Sequence, residues 1–252
     1  IVKKKIIGLI PTRLDSTRLP NKALLEINNI PLVIHTYKRA KLSKKLDDLI
    51  ICCDDKKIYN VAKKFKAKVI LTSKHHLNGT ERIAEAYKKI NKKYDLVVDI
   101  QGDEPLISPF HIDKVINEHI KSFSSADIIL PTLLIAKKNN TNLVKVVCDK
   151  KNYVLYLSRA NIPFEFKKNI KNIKKHLSII SFKPKALEIF AKSKRTILES
   201  IEDIELLRAL ELGLKIKSLN LKGDSFSVDV PEDFVKASKF LSSDKYLKLY
   251  KN

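Results

Sequence analysis

An alternation of short apolar runs with amphipathic stretches constrains this chain more than any other feature. Five runs, at 5–10, 48–53, 68–72, 96–101 and 126–134, are separated by segments of helical periodicity. Continuously apolar strands are covered on both faces, and strands joined through helices run parallel. The pattern predicts an α/β protein: a mixed, mostly parallel sheet with helices on both faces. Pro31 opens one helix where its missing N–H costs nothing, and Asn78 with Glu81 three residues later opens another. Beyond residue 140 the pattern changes. Segments 143–148 and 153–158 flank the turn Asp149-Lys150-Lys151-Asn152 and read as a β-hairpin. A strand over 176–182 follows, then a helix over 201–212 ended by Gly213, and Pro231 opens the last long helix. No internal repeat is present, and the lysine-rich stretch 167–175 reads as a mobile loop.

A chain of 252 residues with no Pro/Gly/Ser-rich linker is expected to form a single domain over 1–252, with the hairpin region of roughly 140–182 inserted in it. Its hydrophobic content of 44% suffices for a large core, but no apolar run approaches the length of a membrane span. The chain opens without a charged-then-apolar leader, and its three cysteines, two of them adjacent at Cys52 and Cys53, make no disulfide framework. The expected location is cytoplasmic. Cys52 and Cys53 end an apolar run and read as buried strand thiols. A formal charge of +22 is carried mainly by dispersed lysine, without the aromatic interleaving or recognisable motif of a nucleic-acid binder. No nucleic-acid or membrane partner is expected, although the field favours an anionic substrate. The absence of methionine has no physical account.

Where the strand signal at Ile6-Ile7-Gly8-Leu9-Ile10 ends, the tract Pro11-Thr12-Arg13-Leu14-Asp15-Ser16-Thr17-Arg18-Leu19-Pro20-Asn21-Lys22 begins, with three cations inside ten residues. Open α/β sheets bind ligands beyond the carboxyl ends of their strands, and cations fixed there hold polyphosphate. Asp99-Ile100-Gln101-Gly102-Asp103-Glu104-Pro105 ends another buried strand with carboxylates at the same edge. Val228-Asp229-Val230-Pro231-Glu232-Asp233 can supply a second carboxylate, which together suit Mg²⁺ on a nucleotide. Each acid taken alone is more often a cap or turn residue than a metal ligand. Gly79-Thr80-Glu81-Arg82 holds an anion or simply starts a helix, Ser158-Arg159 reads as a surface salt bridge, and a lone His176 reads as structural.

Taken together these tracts resemble the 3-deoxy-manno-octulosonate (Kdo) cytidylyltransferases. The resemblance runs in order through Ile10-Pro11-Thr12-Arg13, Ser16-Thr17-Arg18-Leu19-Pro20 with Lys22, Asp54-Asp55, Gly79-Thr80-Glu81-Arg82 and Gln101-Gly102-Asp103-Glu104-Pro105. It continues through Val144-Lys145-Val146-Val147, Ser158-Arg159-Ala160 with Ile162-Pro163, His176, Glu205 with Leu207-Arg208, and Val228-Asp229 with Pro231-Glu232-Asp233. The first tract is shared with other sugar cytidylyltransferases; Gln-Gly-Asp-Glu-Pro narrows it to the Kdo type. The resemblance implies a nucleotide-diphospho-sugar transferase fold, Rossmann-like, and a homodimer joined partly through the hairpin region. It also implies an enzyme that couples CTP with Kdo, or a related 3-deoxy-2-ulosonic acid, to give the CMP-sugar and pyrophosphate for lipopolysaccharide or capsule. By the same resemblance Arg13, Lys22 and Asp103 are catalytic, and Arg13, Ser16, Arg18, Lys22, Asn78 and Gly79 bind the nucleotide. Asp103 and Asp229 hold Mg²⁺, while Arg82, Gln101, Arg159, His176 and Glu205 line the sugar pocket.

The departures from the family concentrate on the sugar side. The family's His-x-Gly-Ile-Tyr strand is His176-Leu177-Ser178-Ile179-Ile180 here, and its Glu-Gln pair is Glu205-Leu206. Two polar side chains are lost, which allows a change of preference among ulosonates, an amino-substituted Kdo included. Asn78 stands where the family has serine, a milder change. The alternatives are another sugar nucleotidyltransferase of the spore-coat type, a non-catalytic sugar-nucleotide-binding protein, and a basic nucleic-acid binder. The paired acids argue against a catalytically dead chain.

Overall fold

A computed structural model describes residues 3–223 and 226–251. They form two compact units, one comprising the described residues of 1–114 and 225–252 and the other those of 115–224.

The first unit is built on Ile6–Thr12 (β1), which runs from the buried Ile6 to the buried Pro11 without an exposed residue. Its elements continue with Glu26–Ile27 (β2), Ile30–Pro31 (β3), Leu32–Ala40 (α1), Asp48–Cys53 (β4), Lys56–Lys64 (α2), Val69–Leu71 (β5), Gly79–Ile90 (α3), Leu96–Ile100 (β6) and the start of Pro109–Lys121 (α4). β1 is central. It pairs in parallel with β4, from Ile7 opposite Asp48 to Thr12 opposite Cys53, and with β6, from Ile6 opposite Leu96 to Leu9 opposite Asp99. β5 extends the sheet beyond β4, again in parallel. Gly8 is closely packed, since a Cβ there would lie 2.7 Å from Leu49 Cδ1.

The helices start as their sequences imply. The Asp55 carboxylate accepts from Lys57 N (2.7 Å) at the head of α2, and Asn78 Oδ1 accepts from Glu81 N (2.9 Å) at the head of α3. α1 begins one residue after Pro31, which ends the short strand β3.

In the second unit, after the end of α4, come Ile128–Ala136 (β7), Lys145–Cys148 (β8), Val154–Ser158 (β9), Asn172–His176 (β10), Ile179–Phe182 (β11), Pro184–Lys192 (α5), Ile197–Glu202 (α6), Glu205–Glu211 (α7) and Ile216–Leu221 (β12). β7 is the hub: β12 lies parallel along one edge, and β10 and β11 lie antiparallel along the other. β8 and β9 form the expected hairpin. Its turn is set by Asp149, whose carboxylate accepts from Lys151 N and Tyr153 N (both 2.8 Å), and by Asn152 at φ 66°.

Three sequence expectations are corrected in this unit. The strand expected over 176–182 is two strands, broken at Leu177-Ser178. Leu177 N donates to Pro131 O (3.0 Å), but Pro131 has no N–H to return the bond, and Ile179 N takes the Leu177 carbonyl instead (2.8 Å). The helix expected over 201–212 is also two, α6 and α7, because Asp203 adopts a left-handed conformation (φ 51°). The guanidinium of Arg159 receives the carbonyls that this break exposes, Glu202 O at 2.7 Å from Nε and Asp203 O at 3.0 Å from Nη2. Finally, the lysine-rich stretch 167–175 is a loop only in part, since 172–175 belong to β10. Gly213 does end the second helix, at φ 75°.

The last helix, Pro231–Ser242 (α8), belongs to the first unit and buries Ala237 and Leu241 with Ile27, Leu32 and Val228. The chain beyond it is tied back to α1. His35 bonds Ile27 O (2.8 Å) and the Tyr250 hydroxyl (3.0 Å), and Arg39 pairs with Asp244.

Candidate active site

Parallel pairing brings the carboxyl ends of β1 and β6 to one edge of the first unit's sheet. The tract that leaves β1 and the tract that leaves β6 touch there. Gly102 N donates to Pro11 O (3.3 Å), and a Cβ on Gly102 would stand only 2.9 Å from that oxygen. Glycine therefore permits the close approach of the two tracts. Thr36 Oγ1 of α1 donates to Gly102 O (3.1 Å) and fixes the turn from beneath.

The third segment of the site, 226–229, comes from just before α8. Val228 is fully buried and its N–H donates to Asp103 O (2.9 Å), which zips 226–229 onto the β6 exit. Asp233, in the first turn of α8, accepts from Asp229 N (3.0 Å) and Val230 N (3.2 Å). Asp103 and Asp229 thus become neighbours through backbone bonds. Both reach one ammonium: Lys22 Nζ lies 2.7 Å from Asp103 Oδ2 and 3.1 Å from Asp229 Oδ1. Arg18 Nη2 lies 3.1 Å from the same Asp229 oxygen, and Ser227 Oγ donates to its other oxygen (2.7 Å).

These contacts set the local charge. Burial alone disfavours the Asp229 carboxylate, but Lys22, Ser227 and Arg18 outweigh it and hold its pKa below the ordinary value. Burial likewise opposes the Lys22 ammonium, and Asp103 and then Asp229 overcome it, raising its pKa. Asp229 and Lys22 are both ionised near neutrality.

A cleft of about 290 Å³ at this edge is lined by Arg13, Ser16, Arg18, Lys22, Asn78, Gly79, Arg82, Gln101, Asp103 and Asp229. The nucleotide and metal residues expected from sequence are therefore gathered in one place, together with two of the sugar residues. Arg13 is exposed and makes no ion pair among the described residues. Arg82 is nearly buried and already committed: Nη1 donates to Thr72 Oγ1 (2.8 Å) and Ser73 O (3.1 Å), and Nη2 pairs with Asp54 Oδ2 (3.2 Å). Gln101 donates from Nε2 to both oxygens of the buried Asp99 (3.0 and 2.9 Å). A carboxylate only accepts, so the amide nitrogen must face Asp99, and Oε1 remains as the acceptor that Gln101 offers a ligand.

Arg159, His176 and Glu205 belong to the second unit. Arg159 is a clamp, donating to the carbonyls of Thr141 (3.2 Å), Glu202 and Asp203, while the Glu202 carboxylate accepts from Arg159 N (2.9 Å) and Ser158 Oγ (2.6 Å). Its surroundings are backbone carbonyls more than a surface salt bridge. Burial, with Lys175 beside it, pushes His176 down to about 4, so the ring is neutral at physiological pH. The residue is half-buried, but its Nε2 is enclosed and has no partner among the described residues. Glu205 opens α7. Ile180 and Leu206, at the two positions of family departure, are both buried apolar side chains of this unit.

Sequence reasoning gave no role to three side chains around the cleft. Asp54, at the carboxyl end of β4, accepts from Leu14 N (3.0 Å) as well as from Arg82, and so staples the first loop. Its place just after a buried strand was the available signal. Asp99 orients Gln101. His76 lines the cleft and pairs with Glu85, and the sequence carries no local mark of either partner's role.

A parallel α/β sheet with a basic loop at the carboxyl edge, facing two converging carboxylates, defines the class of nucleotidyltransferases. The chain belongs to the cytidylyltransferase family, whose family model matches residues 7–216. A 3-deoxy-manno-octulosonate cytidylyltransferase of Thermodesulfovibrio yellowstonii is 40% identical, covering 94% of this chain and 98% of that protein. An 8-amino-3,8-dideoxy-manno-octulosonate cytidylyltransferase of Shewanella baltica is 38% identical, again covering 94% and 98%. Among solved structures, a CMP:2-keto-3-deoxy-manno-octonic acid synthetase complexed with CTP aligns with a TM-score of 0.88 at 26% identity, over 94% of this chain and 98% of that one. The nucleotide-diphospho-sugar transferase fold and the nucleotidyltransferase class expected from sequence both stand. No helix among the described residues is long and apolar enough to cross a membrane.

Proposed function

We propose that this protein transfers the cytidylyl group of CTP to Kdo or a closely related 3-deoxy-2-ulosonic acid, releasing pyrophosphate and supplying an activated sugar for lipopolysaccharide or capsule. The observation that carries the reading is the convergence of Asp103 and Asp229 on a single cation position, beneath a loop that bears Arg13, Arg18 and Lys22. In this reaction the anomeric hydroxyl attacks the α-phosphorus in line with departing pyrophosphate. The protein's task is to position two anions and to neutralise charge as it develops. Arg13, Arg18 and Lys22 grip the triphosphate; Asn78 and Gly79 at the head of α3 and Ser16 in the loop wall the nucleotide side of the cleft.

The acids fit a divalent metal of the Mg²⁺ type. Their oxygens reach one ammonium at 2.7 and 3.1 Å, so a cation between them touches both. No cluster of three His, Cys, Asp or Glu side chains among the described residues is arranged to hold a metal, so in this reading the ion's remaining ligands would be phosphate oxygens and water. Held by Asp103 and Asp229, Mg²⁺ would lower the pKa of the attacking hydroxyl and neutralise phosphate charge.

On the sugar side Gln101 offers an acceptor to a hydroxyl, and the unpartnered Nε2 of His176 is a polar group suited to a ligand. Arg82 in the first unit, and Arg159 and Glu205 in the second, are assigned to the sugar by resemblance to the family. Kdo and its 8-amino analogue remain the leading substrates, since relatives bearing each name match this chain almost equally well. A homodimer is supported by Phe164 and Phe166, 84% and 83% exposed, with Leu134 and Leu155 also bare on the second unit. Cytoplasmic residence is supported by three free cysteines. The test is pyrophosphate release from CTP with Mg²⁺ against a panel of ulosonic acids. Turnover with Kdo or 8-amino-Kdo is expected; turnover with none of the panel overturns the proposal.

A further inference from the structure

We infer that Lys22 is a built-in stand-in for the metal: in the nucleotide-free protein its ammonium occupies the position between Asp103 and Asp229, and a divalent cation enters only when a polyphosphate draws the lysine away. The inference deepens the cytidylyl-transfer reading and rests on it.

Geometry carries the argument. The Lys22 side chain is only 16% exposed, and its Nζ contacts both acids at once. Arg18 adds a second cation on Asp229. Two positive charges therefore already answer two carboxylates, and a divalent ion approaching this position meets an ammonium where it needs open oxygen. At separations of a few ångströms the repulsion is strong in a partly buried site. Nor do two carboxylates alone suffice for Mg²⁺, which gives up its water reluctantly and usually takes substrate phosphates into its shell. A triphosphate changes both terms together. It offers Lys22 and Arg18 more negative charge than the acids do, and it brings its own oxygens to the vacated position.

The backbone is suited to a motion confined to the side chain. Lys22 opens a short 3-10 turn, Lys22–Leu24, whose next residue Ala23 is buried. Lys22 N donates to Leu19 O (3.2 Å) and Leu25 N donates to Lys22 O (3.2 Å). The main chain stays tied while four methylenes let the ammonium swing. A lysine suits this role better than an arginine, because its charge is compact and its stem flexible. The main chain of both acids is tied too, by the Val228 N to Asp103 O bond and by the Asp233 carboxylate on Asp229 N. Metal and nucleotide binding are thereby coupled, and the bare protein resists idle capture of divalent ions.

Mn²⁺ binding, followed by electron paramagnetic resonance on the full chain without nucleotide, tests the inference. Wild type is expected to bind Mn²⁺ weakly at this site, Lys22→Met at least about tenfold more tightly, and Lys22→Arg as weakly as wild type. Equal affinity of wild type and Lys22→Met overturns the proposal. Should Lys22→Met fail to fold, wild-type melting decides: Mn²⁺ alone should leave the melting temperature unchanged, whereas Mn²⁺ with CTP should raise it beyond CTP alone. An equal rise with Mn²⁺ alone overturns the inference. If Asp103→Asn leaves the Mn²⁺ effect seen with CTP intact, the metal assignment itself is wrong, a failure distinct from one in which only the lysine plays no part.

Discussion

Asp54 should be the costliest acid to remove from the neighbourhood of the cleft. Its side chain is 9% exposed and that of its partner Arg82 is 5% exposed, so Asp54→Ala strands a guanidinium away from water. Breaking a buried ion pair by deleting one partner costs about 3–5 kcal/mol. Thr72 Oγ1 and Ser73 O still receive Arg82 Nη1, which keeps the loss toward the lower end. The Leu14 amide also loses its acceptor, at a further ~1 kcal/mol, softened because an N–H on a surface loop can turn to water. A total near 4 kcal/mol lowers the melting temperature by about 8–16 °C in a chain of this size.

Thermal unfolding followed by circular dichroism measures the loss, and Asp54→Asn separates its causes. Asparagine retains an acceptor for Leu14 but no charge for Arg82, so it should fall between wild type and Asp54→Ala. Asp54→Ala also unties the loop that carries Arg13 and Ser16, so KM for CTP should rise in the fraction that remains folded. A melting temperature for Asp54→Ala within ~2 °C of wild type would refute the reasoning, since an unpaired buried guanidinium cannot be that cheap.

Asp103→Asn and Asp229→Asn should each lower pyrophosphate release by orders of magnitude with the fold intact, because a metal that stabilises transferring charge contributes several kcal/mol; near-wild-type turnover in either removes that acid from the site. If Asp99 acts by orienting Gln101, Asp99→Ala should raise KM for the ulosonate about fivefold in the wild-type background and have no further effect in Gln101→Ala; additive losses would make Asp99 merely structural. Burial pushes His35, His119 and His176 each from 6.5 to about 4. Between those values the unfolded chain binds more protons than the folded one, so stability should decline as pH falls from about 6.5 towards 4, read as a falling urea midpoint. A midpoint unchanged from pH 7 to 5 contradicts the burial of these rings.

The parts legible in the sequence are those decided locally. The span Asp48–Cys53 could be read to the residue because both its ends and its apolar content lie within the segment. The basic tract after β1 declared itself in the same way, as charge following a buried strand. What stayed hidden depends on partners remote in sequence. The break at Leu177 exists because Pro131, on a neighbouring strand, lacks an N–H, and the break at Asp203 is capped by Arg159. Periodicity within 176–182 or 201–212 carries no trace of either. The acids were visible singly as candidates, but their convergence follows from one backbone bond, Val228 N to Asp103 O, between segments far apart in the chain. Ile180 and Leu206 illustrate the converse. As sequence they read as lost polar contacts, yet each is a buried apolar side chain in the structure, so Ile180→Tyr must first overcome overpacking before it can report on sugar preference.

The way each charged group is held divides the site into fixed and movable parts. Asp103 and Asp229 are fixed through main-chain bonds to Val228 and Asp233, and Gln101 is fixed through Asp99. Arg13 and Arg18, by contrast, are exposed side chains on a loop, and Lys22 is held only by the acids that a metal would claim. Catalysis by charge stabilisation gains most from groups that need no reorganisation at the moment of reaction. The carboxylates meet that condition by the way their main chain is held, while under the proposal above the cations meet it once phosphate draws them into place. Substrate binding should therefore rearrange the side chains of the 13–22 loop and leave the acid pair where it is, so the nucleotide completes the site by moving its cations.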